Sequence, residues 1–176
     1  MAKTKEQLLN ILDQFQLDEK VVSAEPFGNG HINDTLKVTN EKGEIKYVLQ
    51  RINHLIFTNV DMLQNNIHVV TTHIRKKLEE KGETDIDRKV LTFLPTKDGK
   101  KYYFDGDSYW RVCLFIPRSK SYEEVTPELS YEAGKAFGDF QTMLSDIPEG
   151  TLGETIPDFH NICLLYTSPS PRDRSL

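Results

Sequence analysis

The sequence has few cysteines and no excess of positive charge, and each of these features excludes a class of protein. Its 176 residues include only two cysteines, Cys113 and Cys163, whose spacing fits neither a zinc site nor a disulfide framework. Positive charge is not in excess, since 22 Lys and Arg stand against 27 Asp and Glu, for a formal net charge of -5. We therefore expect a protein with reduced thiols for which neither nucleic acid nor an anionic membrane surface is a favoured partner.

Long apolar runs are missing as well. No stretch approaches the roughly 20 apolar residues that a membrane-spanning helix needs. The first 15 residues mix apolar and charged side chains and have no small-residue cleavage site of a secretory signal, so we expect a cytoplasmic location. Hydrophobic residues nevertheless make up 38% of the chain, which is sufficient for one ordinary core or one lobe of a larger enzyme.

The first third of the chain has the pattern of a short helix followed by antiparallel strands. Thr4 and Gln7 form a possible capping box ahead of apolar residues at helical spacing. Three strand-like runs follow, at Val21 to Phe27, Asp34 to Thr39 and Ile45 to Ile52. Their short, glycine-bearing connectors predict hairpins, because a parallel crossover needs a dozen or more residues.

A longer helix and further strands come next. Apolar residues recur at three- and four-residue steps from Val60 to about Leu78, and Gly82 is expected to end this helix. The pair Asp85 and Asp87 has the spacing of a metal-binding motif, but its charged neighbours favour a solvated loop. Further strands are predicted at Val90 to Leu94, Lys101 to Phe104 and Ser108 to Ile116.

A second amphipathic helix is predicted after Pro117. Its apolar positions run from Leu129 through Phe137 and Phe140 to Leu144, and Pro127 suits the helix start. Several large apolar side chains form this face, which therefore needs a packing partner. The order of elements predicts an α+β fold, with three strands, a helix and more strands as in the small lobe of a protein kinase.

The segment Gly28-Asn29-Gly30-His31-Ile32-Asn33 joins the first two strands. Glycines let a backbone approach phosphate oxygens closely with free N–H groups. The segment is neither a dinucleotide fingerprint, because no helix follows, nor a Walker loop, because no Gly-Lys-Ser/Thr is present. Taken alone it fits either a plain tight hairpin or a phosphate-covering one, and the order of elements favours the second interpretation.

The third strand is where a protein kinase presents a lysine to the nucleotide phosphates. Alternation puts Val48 and Gln50 on one face of this strand, and Leu49 and Arg51 on the other. Gln50 therefore stands in the lysine position. The neighbouring Arg51 is either a phosphate-binding cation or a solvated charge at the strand end.

Five segments, in chain order, carry a resemblance to a known family. They are Gly28-Asn29-Gly30-His31-Ile32-Asn33-Asp34-Thr35, Tyr47-Val48-Leu49-Gln50-Arg51-Ile52-Asn53, Trp110-Arg111-Val112, Ala133-Gly134-Lys135-Ala136-Phe137-Gly138-Asp139-Phe140-Gln141 and Ile156-Pro157-Asp158-Phe159-His160. Together they resemble the N-acetylhexosamine 1-kinase family of the aminoglycoside-phosphotransferase and choline-kinase-like superfamily. The resemblance runs from about residue 6 to about residue 162.

The resemblance implies phosphorylation of the anomeric hydroxyl of N-acetylglucosamine or N-acetylgalactosamine, with ATP and Mg²⁺ as cofactors, on a two-lobed fold. The nucleotide-binding residues that it implies are Gly28, Asn29, Gly30, His31, Asn33, Val48, Gln50, Phe115 and Ile116. The first five would cover the phosphates, the next two would face the nucleotide, and the last two would lead into the hinge beside adenine. The sugar-binding residues that it implies are His31 and Asn33.

The resemblance also divides the chain. It implies a nucleotide-binding lobe at residues 1–116, then a hinge and the first helical part of a truncated second lobe at 117–162. Residues 163–176 match nothing in the family. They are rich in Ser, Pro and Arg, which predicts a disordered or artefactual tail.

Two departures from the family pattern bear on activity. His68 stands where family members often carry an acidic residue, so an ion pair between a β-strand lysine and a helix glutamate is missing at both ends. The sequence also has no His-x-Asp-x-x-x-x-Asn motif, which would supply the catalytic carboxylate. We expect an inactive N-terminal fragment of a sugar kinase, and the alternative is a stand-alone nucleotide-binding or regulatory module.

Overall fold

The described part of the chain has the order helix, three strands, two helices, three strands and a last helix. The computed structural model describes residues 3–28, 30, 32–120, 122, 124–159 and 161. The helices in this part are α1 (Lys5–Leu12), α2 (Val60–Glu80), α3 (Ile86–Lys89) and α4 (Pro127–Leu144). The strands are β1 (Val21–Pro26), β2 (Asp34–Asn40), β3 (Ile45–Ile52), β4 (Phe93–Leu94), β5 (Tyr103–Phe104) and β6 (Tyr109–Leu114). The fold of this part is α+β.

All strand pairs in the described sheet are antiparallel. The strand order is β1-β2-β3-β6-β4, and β5 pairs with β6 beside this path. Each of the first two connections is short, which confirms the two hairpins expected from the sequence. The predicted bounds of β3 agree with the structure, and those of β1 and β2 differ by one residue each.

One face of the sheet packs against α1. Leu49 on β3 is opposite Leu36 on β2 and Val112 on β6, so these three side chains lie on the same face. They form the main core with Leu12 and Phe15 of the α1 segment. Leu49, Leu12 and Val112 have no exposed surface. We call this the α1 face.

The opposite face of the sheet carries α2. Ile52 of β3 packs against Val60 and Leu63 near the start of this helix. Ile74 and Leu78, about three and four turns further along, pack with Val90 and not with the α1 core. We call this the α2 face, and it includes Gln50, because residues at positions 50 and 52 of a strand share a face.

Side-chain caps fix where the helices begin. The Thr4 Oγ1 accepts from the N–H of Gln7, and the Gln7 side chain accepts from the N–H of Thr4, which confirms the predicted capping box. Asn59 caps α2 and Thr126 caps α4, where Pro127 occupies the first turn.

The region between α2 and β4 differs from the prediction. Only Phe93–Leu94 is a strand where Val90 to Leu94 was expected, and residues 86–89 form a short helix where a loop was expected. The reason is a local set of polar contacts: Asp87 accepts from Arg75 at 2.7 Å and from Thr92 at 2.8 Å. These bonds hold the turn against α2 and leave two residues for the strand.

Helix α4 attaches to α2 through its C-terminal end. Asp146 accepts from His73 of α2 at 2.9 Å and pairs with Lys77. No residue of α4 is buried, and Phe137 is 70% exposed, so the apolar face predicted for this helix is open in the described part of the chain. The division of the chain at residue 116 remains a prediction, and the predicted tail at 163–176 lies outside the described residues.

None of the described helices combines the length and apolar character needed to cross a bilayer.

Candidate functional site

The glycine hairpin between β1 and β2 begins with a left-handed turn. Gly28 has a φ of 79°, a conformation that L side chains rarely adopt, although open space surrounds the position that a side chain would take. The constraint at Gly28 is therefore conformational. Gly30 is exposed, and the predicted phosphate-covering residues Asn29 and His31 lie outside the described residues.

Asn33 ties the hairpin to the end of β3. Its Oδ1 accepts from the backbone N–H of Asn53 at 2.9 Å. Asn53 follows β3, and its own Oδ1 accepts from the N–H of Leu55 at 3.1 Å. The predicted sugar-binding residue Asn33 thus positions the chain where β3 ends.

A polar row crosses three strands on the α2 face. Gln50 of β3 is the register partner of Thr35 on β2 and of Arg111 on β6. Its Nε2 donates to Thr35 Oγ1 at 3.0 Å, and its Oε1 accepts from Arg111 Nε at 3.0 Å. Gln50 therefore joins a cationic side chain to the strand that follows the glycine hairpin. We call Thr35, Gln50 and Arg111 the polar row.

Val48 lies beside the polar row. It is half-buried and is the register partner of Cys113 on β6 and of Lys37 on β2. Directly opposite residues of antiparallel strands share a face, so Val48 and Gln50 both lie on the α2 face. This agrees with the alternation read from the sequence.

An aromatic contact joins the glycine hairpin to the predicted hinge. The rings of Phe27 and Phe115 lie edge to face, with centroids 5.9 Å apart. The N–H of Phe115 donates to the carbonyl of Lys46 at 2.9 Å, which continues the sheet beyond β6. The half-buried Ile116 comes next. The start of the hairpin therefore contacts the predicted hinge, although the register places the hairpin beside the end of β3 and Phe115 beside its start.

The cavity beside the glycine hairpin has a volume of about 740 Å³. Gly28, Gly30 and Asn33 line it together with Lys5 and Arg51. Arg51 donates to Asp34 at 2.6 Å, and both residues are in register with the core residue Trp110. The cavity is therefore on the α1 face, and the structure does not bring the hairpin glycines and Gln50 into this one space.

Arg111 has an environment that the sequence reasoning missed. Its guanidinium carbon lies 5.2 Å from the centroid of the Phe93 ring. Its Nη1 is buried and has no hydrogen-bond partner among the described residues. Strand alternation could have placed Arg111 on the face opposite Trp110 and Val112, but it could not have shown that the charge is unpaired.

A second cavity adjoins Arg111 on the α2 face. It has a volume of about 450 Å³ and lies between β6, α2 and α4. Apolar side chains dominate its walls, among them Val70, Phe93, Phe140 and Met143. A cation at the edge of a mainly apolar cavity suits a ligand that has both a flat apolar part and an anionic part.

The histidines of α2 have separate environments. His73 is engaged by Asp146, and His68 is exposed. In the part of the chain that the structure describes, no three His, Cys, Asp or Glu side chains are grouped so that they could hold a metal ion. Asp87, half of the Asp-x-Asp pair, is engaged by Arg75 and Thr92.

The chain was compared with models of known protein families, and no family model matches it.

Proposed function

We propose that this chain is the nucleotide-binding portion of a kinase-like phosphotransferase. More particularly, we propose that it belongs with the N-acetylhexosamine 1-kinases, which transfer a phosphoryl group from ATP to the anomeric hydroxyl of an amino sugar. The α+β fold class supports the assignment to the kinase-like phosphotransferases. The five collinear segments support the assignment to the N-acetylhexosamine 1-kinases.

The polar row is the observation that supports the proposal most. A nucleotide-binding lobe needs polar side chains on the third strand that face away from the main core. Gln50 meets this requirement, because it lies on the α2 face and bonds to Arg111 and Thr35 at 3.0 Å each. Thr35 belongs to the strand that leaves the glycine hairpin. The row thus connects that hairpin to a half-buried cation whose Nη1 is enclosed.

In this proposal the predicted nucleotide-binding residues form groups that contact different parts of the nucleotide. The backbone of the glycine hairpin covers the phosphates, and Val48 contacts the base or ribose through its half-buried apolar side chain. Phe115 and Ile116 border the adenine at the end of β6. Magnesium enters with ATP as its complex, and neutralises phosphate charge when bound.

The chain is not proposed to carry out phosphoryl transfer by itself. Transfer needs a carboxylate to orient the attacking hydroxyl and another to hold the metal. The sequence has no His-x-Asp-x-x-x-x-Asn motif to supply the first of these groups. The roles of His31 and Asn33 towards the sugar remain predictions that depend on the complete catalytic machinery.

Calorimetric titration of the chain with MgATP tests the proposal. We expect a dissociation constant between about 1 µM and 1 mM, the range common for enzyme substrates. Gln50→Glu should weaken MgATP binding at least about tenfold, because a carboxylate neutralises Arg111 and repels phosphate. No ADP should form when N-acetylglucosamine or N-acetylgalactosamine is added.

A matched control is available on α4. Gln141→Glu makes the same change in net charge at an exposed position and should leave the affinity for MgATP unchanged. Absence of MgATP binding by the unmodified chain would contradict the proposal. Equal weakening by both substitutions would show that net charge, and not the polar row, controls binding.

A further inference from the structure

Arg111 combines a charge with substantial burial. Its Nη1 is enclosed and has no partner in the described part of the chain, while its Nε is held by Gln50 at 3.0 Å. Removing a charged group from water is unfavourable unless an opposite charge or full hydrogen bonding compensates for it. Burial lowers the pKa of Arg111 from its usual value, yet a guanidinium remains protonated in proteins.

The neighbours of Arg111 do not neutralise it. Cys113 lies on the same face, and burial raises the pKa of its thiol to about 11, so it is uncharged at neutral pH. Gln50 is a neutral amide, and Phe93 offers only the face of its ring. No Asp or Glu is among the described residues that line the adjoining cavity, and the other cation there, Lys89, is paired with Glu83.

Other arginines of the chain provide a contrast. Arg51 is paired with Asp34, and Arg75 is paired with Asp87. Their side chains are 38% and 31% exposed, and pairing at partly exposed positions is worth less than pairing of an enclosed cation. Arg111, whose Nη1 is enclosed, has no such counter-charge among the described residues.

We propose that Arg111 binds phosphate groups of a ligand that lies on the α2 face against Val48 and Phe93. This inference rests on the proposed function for the identity of that ligand, a nucleoside triphosphate. Arg111 then supplies, from β6, the positive charge that protein kinases supply with a lysine on the third strand. Gln50 occupies the lysine position and orients the guanidinium through its Nε.

The chemistry of the two groups is well matched. A guanidinium presents planar N–H donors that fit phosphate oxygens, and hydrogen bonds between charged groups are about twice as strong as neutral ones. Because Gln50 holds Nε and Phe93 faces the guanidinium, the Nη edge is the part left to contact a ligand. An incoming phosphate in the adjoining cavity, which Arg111 lines, would neutralise this charge.

Titrations of the 176-residue chain with MgATP, adenosine and inorganic tripolyphosphate test the inference. Arg111→Met should weaken binding of MgATP and of tripolyphosphate by about tenfold or more, and leave adenosine binding unchanged. Arg111→Lys should retain part of the affinity. Lys97→Met is the control, because it removes an exposed cation that pairs with Asp13, and it should leave all three affinities unchanged.

Thermal unfolding without ligand separates loss of binding from loss of fold. Arg111→Met should unfold at the same temperature as the unmodified chain or higher, because an apolar side chain replaces an uncompensated buried charge. If Arg111→Met lowers the unfolding temperature, Arg111→Lys decides: affinity for both phosphate ligands above that of the methionine variant supports the inference, and a loss equal to that of methionine overturns it.

The remaining outcomes distinguish this inference from the proposed function. If MgATP binds and Arg111→Met does not weaken it, the inference is wrong and the proposed function stands. If tripolyphosphate binds through Arg111 while MgATP and adenosine do not bind, Arg111 is a phosphate site and the proposed function fails. If no ligand binds, both are wrong.

Discussion

Replacing Leu49 by alanine is expected to lower the free energy of unfolding by about 2–5 kcal/mol. Leu49 is fully buried on the central strand β3, between Leu36 and Val112 and beneath α1. The substitution removes apolar contacts and leaves a cavity that neighbouring strands cannot close without breaking their pairing. Urea unfolding followed by fluorescence of Trp110, the one tryptophan and itself in this core, measures the change.

Val125 provides the control for this prediction. It is 79% exposed, so Val125→Ala should change the unfolding free energy by less than about 0.5 kcal/mol. If Leu49→Ala were as mild as the control, Leu49 would not be a core residue and the register of β3 would be wrong.

Replacing Asp105 by asparagine is expected to lower the free energy of unfolding by about 1–3 kcal/mol near neutral pH. The Asp105 carboxylate accepts from Trp110 Nε1 at 2.9 Å and from the N–H groups of Ser108 at 2.8 Å and Asp107 at 3.0 Å, and pairs with Lys3 at 2.8 Å. Asparagine has one acceptor oxygen in place of two and carries no charge, so it cannot satisfy these donors.

The same carboxylate makes stability depend on pH. Burial by itself raises the pKa of Asp105, but the bonds from Lys3, Ser108, Asp107 and Trp110 outweigh burial and bring the pKa to about 2, from an ordinary value of 3.8. A lowered pKa contributes stability that is fully present above about pH 4 and is lost as the pH falls towards about 2. The difference between the unmodified chain and Asp105→Asn should therefore shrink across this interval.

Unfolding free energies measured at several pH values between about 2 and 6 check this dependence. Asp13 is a suitable comparison, because its side chain is 75% exposed and pairs only with the exposed Lys97 among described residues. Asp13→Asn should leave the pH profile close to that of the unmodified chain. A constant gap between Asp105→Asn and the unmodified chain at every pH would contradict the role given to the carboxylate.

The hairpins could be predicted because local signals agreed with one another. β3 is rich in β-branched, aromatic and aliphatic residues, and the glycine-containing connectors leave no room for a crossover. The cap at Thr4 depends on residues only three positions apart. Where the residues that determine a local structure are neighbours in sequence, the sequence pattern is sufficient to predict that structure.

The segment before β4 could not be predicted in the same way. Its short helix depends on Arg75, which reaches Asp87 from a helix that lies earlier in the chain. The attachment of α4 to α2 through His73, Lys77 and Asp146 is also a contact between distant residues. Such contacts leave no periodic signal in the sequence.

The candidate site shows the same division. Alternation correctly separated Val48 and Gln50 from Leu49 and Arg51, but it left open whether Arg51 was solvated or available to phosphate. The pairing of Arg51 with Asp34 on the α1 face, and the unpaired Nη1 of Arg111 on the α2 face, depend on three strands in register. The cation best suited to a ligand was therefore identified only from the structure.

Amide hydrogen exchange of the chain, measured with and without MgATP, tests most directly whether a nucleotide binds on the α2 face. The account predicts slower exchange in the β1–β2 hairpin, in β3 and at Phe115 and Ile116, with α1 unchanged. Slower exchange confined to α1 and the neighbouring cavity beside Lys5, or no change at saturating MgATP, would contradict it.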